Sequence, residues 1–311
     1  MVNHSLARVV LMFAGFFSFL VSITFNSLSG FGAKSGVFKQ STEDVTVKYT
    51  TPLTPAQWAL FVWDFLYVWM FAMYIYFLVG LCRRTAYDWL YTTPAVLPYG
   101  FHVSLIIKNC LNIMWLFLLD RELLLPVLIT SIFMTLSHYL ILFFSCYGLK
   151  IYGAWLNKYH NTDLWLIRIL VQNVGAVYAT WGTLSTLLNL TMFLQHQTET
   201  SKCECAMLAL LLLLMELLVW FLLENFYVDE HVRYIVTIYP VVILWLTGTL
   251  ENSATTQSDI YIFEAVILAI SCIMLVARIT LVVWKHCKRP LYSGPSQSPV
   301  EIALKQRKLF R

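Results

Sequence analysis

The chain carries little charge for its length. Only 12% of its 311 residues are Asp, Glu, Lys or Arg, whereas 59% are hydrophobic and the mean hydropathy is +0.70. About a quarter of the residues of a soluble domain are charged, and soluble cores stop growing near about 250–300 residues. The composition therefore excludes a soluble enzyme, a coiled coil and a disordered chain. It indicates a polytopic membrane protein.

Cysteine is present, but no paired framework is. The seven cysteines are scattered and odd in number, which argues against a disulfide scaffold. Cys203 and Cys205 have no further Cys or His nearby, and His138 has no second ligand at a metal-binding spacing. No Ser/His/Asp or Cys/His arrangement is visible either. The sequence therefore predicts no metal site, no cofactor and no enzymatic activity.

Long apolar runs are what the sequence does contain. Eight runs reach the roughly 20 residues that a membrane helix needs, and none alternates as a transmembrane β-strand does. They cover about 8–28, 56–81, 98–119, 123–147, 164–194, 204–227, 232–250 and 259–284. We predict an all-α polytopic membrane protein with about eight transmembrane helices. The first run also has features of a signal peptide, since Arg8 precedes it, but its length favours a membrane helix.

The basic residues are unevenly divided between the two predicted sides of the membrane. With a cytosolic N-terminus, the cytosolic side holds six basic residues before the tail and seven within it, thirteen in all, against five on the other side. The positive-inside rule thus predicts that both termini are cytosolic. Residues 285–311 hold those seven cations and one acid, Glu301, so they form a basic tail that could contact anionic lipid headgroups.

Three of the runs carry aromatic and amide side chains at helical spacings. The second run follows Pro55 with Trp63-Asp64-Phe65-Leu66-Tyr67, the third contains Asn112-Ile113-Met114-Trp115, and the fifth contains Tyr178-Ala179-Thr180-Trp181 and then Leu188-Asn189. Residues three or four apart share one face of a helix. In this order the motifs resemble those of the TspO/MBR family of tryptophan-rich sensory and translocator proteins. The resemblance covers residues 8–194 and leaves the last three runs without a counterpart.

The resemblance implies a five-helix bundle that encloses an aromatic pocket under the first loop. It divides the chain into a TspO-like domain at 1–196, a three-helix membrane region at 197–284 and the basic tail at 285–311. The implied ligand is a tetrapyrrole or a sterol, which flat aromatic walls suit. The predicted ligand-binding residues are Trp63, Tyr67, Lys108, Asn112, Trp115, Tyr178, Trp181 and Asn189. The glycine-punctuated first loop, residues 29–54, is predicted to be a lid.

The chain departs from the family pattern at several positions. Asp64 stands where the family often has Gly, and Lys108 where many members have Gln. Opposite charges at two predicted membrane positions suggest a buried ion pair, although one of them could instead contact a charged ligand group. The aromatic residue and Arg that follow the fifth-helix Leu-Asn in animal translocator proteins are not matched here, so no sterol site is predicted at that position.

Further charges occur in the last three runs. Glu216 and Glu264 are predicted to lie deep in the membrane, where they could pair with each other or with His138 or line a polar path. Glu224 and Arg278 are close enough to helix ends to reach the membrane surface.

Two other functions compete with ligand binding for transport or sensing. The intramembrane charges Asp64, Lys108, Glu216 and Glu264 are compatible with a multi-span transporter or channel, although no inverted repeat supports it. The other alternative is a receptor or scaffold whose basic tail binds lipid or a cytosolic partner. The expected partners are the lipid bilayer and a hydrophobic ligand, a homodimer stays open, and no nucleic-acid partner is expected. The organelle is not predicted.

Overall fold

The computed structural model describes residues 4–85, 89–198, 200–252, 258–292, 297–302 and 304. These residues are almost entirely helical; the one β-type contact among them is an isolated bridge between Arg84 and Trp89. The helices are α1 Leu6–Phe31, α2 Thr42–Lys48, α3 Val62–Cys82, α4 Tyr99–Asp120, α5 Leu124–Tyr159, α6 Asn161–Ile167, α7 Val174–Gln197, α8 Lys202–Leu222, α9 Asp229–Val232, α10 Ile238–Asn252 and α11 Ser258–Lys288. The prediction of an all-α fold is confirmed.

Six helices are long and apolar enough to cross a membrane. They are Leu6–Ser35, Gln57–Cys82, Tyr99–Asp120, Leu124–Tyr159, Lys202–Tyr227 and Asp259–Lys288, counted with the 3₁₀ or π turns that continue some of them. The predicted fifth and seventh runs do not meet this standard. α7 carries Thr, Asn and Trp side chains that lower its hydropathy, and α10 has 15 residues, which span about 22 Å of the roughly 30 Å hydrocarbon core.

The polar character of α7 is explained by its position. It packs against α3, α5, α8 and α10, and its buried residues include Tyr178, Trp181, Asn189 and Thr191. A helix that is surrounded by other helices needs no continuous lipid-facing surface, so polar and aromatic side chains are tolerated there. α7 is therefore the element around which the bundle is built.

The connections alternate between two ends of the bundle. At one end, Arg83 bonds Asp163 at 2.6 Å and Arg233 donates to the Arg289 carbonyl at 2.6 Å. At the other end, Lys48 contacts Glu122. Arg83 and Arg233 thus lie at one end of the bundle and Lys48 at the other, which agrees with their predicted division between the two sides.

Several helix boundaries differ from the predicted ones. α5 continues to Tyr159, twelve residues past the predicted limit of 147, and therefore extends about 18 Å further. The fifth run becomes α6, a π-helical turn at Arg168–Asn173 and α7. Asn173 stabilises that turn, because its side-chain amide donates to the carbonyls of Arg168 and Tyr234 at 2.9 and 3.0 Å.

The prediction that Glu224 and Arg278 reach the membrane surface is wrong. Both side chains are buried, and Arg278 Nε lies 3.4 Å from Glu224 Oε2. The Arg278 guanidinium also donates to the carbonyls of Val232 and Arg233 at 2.8 and 3.1 Å. Val232 is the last residue of α9 and Arg233 follows it, and the Val232 carbonyl also accepts a hydrogen bond from the Ile235 N–H at 2.9 Å. Arg278 points inward because the Glu224 carboxylate and these two carbonyls bind its guanidinium.

The tail is described only in part. Lys305, Arg307, Lys308 and Arg311 lie outside the described residues. Lys285, at the start of the predicted tail, belongs to α11, and its ammonium lies 3.0 Å from Asp229. This cation therefore faces the protein.

Candidate functional site

A cavity of about 500 Å³ opens between α1, α3, α4, α5, α7 and α10. This volume is within the range of about 300–1,000 Å³ that is common for small-molecule sites. We call it the aromatic cavity. Its wall includes Asp64 and six of the eight predicted ligand-binding residues. These six are Trp63, Tyr67, Asn112, Trp115, Trp181 and Asn189.

The aromatic rings of this wall support one another. The rings of Trp63 and Tyr67 stack with centroids 6.1 Å apart, and Trp63 and Trp181 meet edge to face at 5.8 Å. Trp181 in turn meets Trp245 of α10 edge to face at 4.9 Å. Because Trp181 is 1% exposed and held between two other indoles, the wall is fixed before any ligand enters.

Trp245 is a wall residue that sequence reasoning missed. It lies in the seventh run, outside the resemblance, and is therefore not among the predicted ligand-binding residues. No spacing in the sequence connects it with Trp181, since the two residues lie on different helices. The structure shows that α10, which lies outside the resemblance, contributes to the cavity.

Asn112 is held by two residues of α1. Its side-chain oxygen accepts hydrogen bonds from Ser22 Oγ at 2.8 Å and from Asn26 Nδ2 at 2.6 Å. With the oxygen occupied, the amide N–H groups are the part of Asn112 left to meet a ligand. The sequence carried no signal for this support, because Ser22 and Asn26 belong to no recognised motif.

Two buried donors in the cavity wall have no protein partner among the described residues. They are the indole N–H of Trp115 and the side-chain N–H₂ of Asn189. Leaving a buried donor unsatisfied costs about 1–3 kcal/mol. The cavity thus combines apolar rings with N–H donors, an arrangement that suits a flat apolar molecule bearing acceptor oxygens.

The lid, residues 29–54, covers one side of the cavity. Thr42 and Thr46 of its helix α2 line the cavity. Helix α2 begins with a capping box in which Ser41 and Asp44 satisfy each other's backbone N–H groups. The predicted first-loop lid therefore has a folded helix at its centre.

The turn between α4 and α5 holds the lid in place. Asp120 accepts hydrogen bonds from the backbone N–H groups of Lys39 and Gln40 at 2.7 and 3.0 Å. Glu122 accepts from Lys48 Nζ at 2.7 Å and from Tyr49 Oη at 2.8 Å. The hydrogen bonds from Lys48, Gln40 and Tyr49 lower the pKa of Glu122 to about 2. Sequence reasoning missed this contact because it joins segments about 80 residues apart.

Lys108 and Tyr178 lie outside the wall of the aromatic cavity. They line a smaller chamber together with His138. Lys108 Nζ lies 4.3 Å from the ring centre of Tyr178 and 3.2 Å from Asn109 Oδ1. Tyr178 still touches the cavity wall indirectly, because its ring meets Trp63 at 6.1 Å.

The predicted ion pair between Asp64 and Lys108 is wrong. Asp64 lies in the first turn of α3, where its exposed side chain borders the aromatic cavity. Lys108 lies deeper, level with Met70 and Met73 of α3. Met70 is six residues beyond Asp64, so the two charged groups are offset by about 9 Å along α3.

The carboxylates of the last three helices do not join His138. Glu216 accepts a hydrogen bond from Tyr139 at 2.6 Å on the outer surface of the bundle, whereas Glu264 is fully buried on α11. Both ring nitrogens of His138 are buried without a hydrogen bond. Within the part of the chain that the structure describes, no three His, Cys, Asp or Glu side chains come together as a metal site would require.

Comparison with known proteins gives one match. The family model described as TSPO-like protein matches residues 12–283. No curated protein and no solved structure matches the chain. The family match begins near the start of α1 and ends in α11, so it includes the three helices that the sequence motifs left without a counterpart. Since it covers most of the chain, the protein belongs to the TSPO-like family.

Proposed function

We propose that this protein binds a flat hydrophobic ligand, of the tetrapyrrole or sterol class, in the aromatic cavity for transport or sensing. The observation that carries the proposal is the wall itself. Rigid indole rings form its apolar surface, while Trp115 and Asn189 offer unpartnered N–H groups. Buried donors without partners favour a ligand that can accept their hydrogen bonds. The function is binding and release, and no chemical step is assigned.

The N–H donors of Trp115 and Asn189 favour a tetrapyrrole over a sterol as the ligand. A tetrapyrrole with carboxylate side chains offers several acceptor oxygens, whereas a sterol offers one hydroxyl. Trp63 and Tyr67, whose ring planes differ by 26°, would stack on the flat face of the ligand, and Trp181, nearly perpendicular to Trp63, would meet the ligand edge to face. Lys108 stays a predicted ligand-binding residue. Its ammonium lies over the ring of Tyr178, so we propose that it affects the ligand indirectly, through Tyr178.

We also propose that the six long apolar helices, together with α7 and the shorter α10, all cross the bilayer and that both termini are cytosolic. The contacts of Arg83 and Arg233 at one end of the bundle, and the contact of Lys48 in the lid at the other end, support this topology. Helix α10, in the predicted region 197–284, completes the cavity of the 1–196 domain through Trp245. The basic tail would contact anionic lipid, and a homodimer is compatible with this arrangement.

Binding is tested by titration of the purified full chain in lipid nanodiscs. Protoporphyrin binding is followed by tryptophan quenching, and cholesterol binding by its competition with protoporphyrin. Trp181→Leu removes one ring from the wall, and we expect it to weaken protoporphyrin binding roughly 2- to 10-fold, as the loss of one aromatic contact does. Asn189→Leu keeps the approximate side-chain size but removes the donor, so it should weaken protoporphyrin more than cholesterol.

Trp284→Leu is the matched control, because Trp284 is half exposed on α11 and outside the cavity. It should bind protoporphyrin as the wild type does. Absence of saturable binding of either ligand to the wild type would overturn the proposal. Equal weakening by Trp181→Leu and Trp284→Leu would show that the ligand binds outside the aromatic cavity.

A further inference from the structure

A second cavity, of about 250 Å³, lies on the outer side of the bundle between α5, α7, α8 and α10. We call it the lateral groove. It shares no lining residue with the aromatic cavity. Tyr139 and Val219 at its rim are 37% and 50% exposed, on a surface that faces the acyl chains of the bilayer if α5 and α8 cross it. A membrane-dissolved molecule could therefore enter the groove from the side.

The lateral groove contains one carboxyl group, that of Glu216. Glu216 is fourteen residues beyond the first residue of α8, so it lies about 21 Å along the helix axis, well inside the apolar span. One of its oxygens, Oε1, accepts the hydrogen bond from Tyr139 at 2.6 Å. A carboxyl group at this depth is costly and generally marks a functional position.

The side-chain donors that line the lateral groove are already engaged within the protein. The hydroxyl of Tyr139 donates to Glu216, and Thr180 donates to the Ala176 carbonyl at 2.9 Å. Thr183 donates to the Ala179 carbonyl at 3.1 Å. The indole N–H of Trp220 donates to Glu224 at 3.0 Å.

The groove therefore offers acceptor capacity and one carboxyl group with which an ammonium group can pair, and its side-chain donors are engaged. Its remaining wall is aliphatic, with residues such as Leu213, Leu217 and Val242. A molecule that complements this surface has an apolar body and a cationic group with N–H donors. An alcohol would match the acceptor but not the charge, and a fatty acid would be repelled by Glu216.

We propose that the lateral groove is a second binding site, which takes hydrophobic amines. The ammonium group donates to Glu216, and the apolar body packs against the aliphatic wall. Tyr139 is a positioning residue, because its hydrogen bond fixes the Glu216 carboxyl at the mouth of the groove. This site is separate from the aromatic cavity and does not depend on the function proposed for it.

The test uses the full chain in lipid nanodiscs and a twelve-carbon primary alkylamine that carries a diazirine in its chain. After irradiation, mass spectrometry locates the labelled peptides. We expect saturable labelling of peptides from α5, α7 and α8 that dodecylamine displaces at least tenfold more effectively than dodecanol. Glu216→Gln removes the charge and should reduce the labelling at least tenfold. Glu230→Gln, which removes an exposed carboxylate outside the groove, should leave it unchanged.

Equal displacement by dodecanol and dodecylamine would overturn the proposal. This comparison is made on the wild type, so it holds even if Glu216→Gln fails to fold. Labelling that is unchanged in a well-folded Glu216→Gln, or that falls on peptides outside the groove, would overturn it as well. Tyr139→Phe keeps the charge but frees the carboxyl to move, and it should weaken the labelling less than Glu216→Gln does.

Discussion

At the scale of single residues, charged side chains are buried in the bundle where neighbouring groups form hydrogen bonds or ion pairs with them. The carboxyl of Glu224 accepts hydrogen bonds from Trp220 and Tyr239 and pairs with Arg278, whose guanidinium donates to carbonyls of the α9–α10 turn. Removing one member of a buried pair leaves the other without compensation. The pair thus ties α8 and α11 to this turn.

Arg278→Met should destabilise the protein strongly. It leaves the buried Glu224 carboxylate without its cationic partner and removes one donor each from the Val232 and Arg233 carbonyls, and we expect a loss of about 3–5 kcal/mol in the free energy of unfolding. The measurement is reversible unfolding in detergent, with Lys288→Met as the control because Lys288 is exposed at the end of the same helix. A loss no larger than that of the control would contradict the structural role of the pair.

At the scale of elements, the lid and the α4–α5 turn act together. Glu122 has its pKa lowered to about 2 from an ordinary value of 4.5 by hydrogen bonds from the lid. A carboxyl with a lowered pKa contributes to folding above its unfolded-state value, and this contribution is lost as the pH falls toward the folded-state value. The lid should therefore stay attached at neutral pH and loosen between about pH 4.5 and 2.

Hydrogen exchange of α2 measures this attachment. After correction for the intrinsic exchange rate, the α2 amides should exchange faster as the pH falls through that interval. Glu122→Gln, which removes the charge that pairs with Lys48, should show faster exchange already at pH 6 and a weaker pH dependence. Exchange in α2 that is identical in the two proteins at every pH would mean that Glu122 does not hold the lid.

The sequence predicted the elements better than the contacts between them. The spacing of Trp63 and Tyr67 on α3, and of Trp181 and Asn189 on α7, grouped residues that line one cavity, because helical periodicity is local, whereas Tyr178 lines the smaller chamber. The Asp64–Lys108 pair was wrong because the relative height of two helices depends on loop geometry and packing. Trp245 and the Asp120–Glu122 contacts with the lid escaped prediction for the same reason, since each joins segments far apart in the chain.

At the scale of the whole molecule, the two ends of the bundle differ in their contacts. Cys82 precedes Arg83, which bonds Asp163, and Cys287 lies near Arg289, whose carbonyl accepts from Arg233. Cys203 lies at the start of α8, at the end that carries the lid. Combined with the excess of basic residues, this arrangement predicts that Cys82 and Cys287 face the cytosol and Cys203 the opposite side.

Single-cysteine variants in sealed vesicles of known orientation test this topology. In vesicles whose cytosolic surface faces outward, a membrane-impermeant maleimide should label Cys82 and Cys287, and it should label Cys203 only after permeabilisation. Labelling of Cys82 and Cys287 from opposite sides would contradict eight crossings. Labelling of both only after permeabilisation would invert the predicted orientation.

The tryptophans of the protein report directly on whether a flat ligand binds inside the aromatic cavity. The chain has eleven tryptophans, of which four line the cavity: Trp63, Trp115, Trp181 and Trp245. The most direct measurement is ¹⁹F NMR of the protein labelled with 5-fluorotryptophan, titrated with protoporphyrin and assigned by single Trp→Phe substitutions. We expect large saturable shifts of these four resonances, with those of Trp165 and Trp284 unchanged. Shifts confined to tryptophans outside the cavity, or no shift at all, would contradict this expectation.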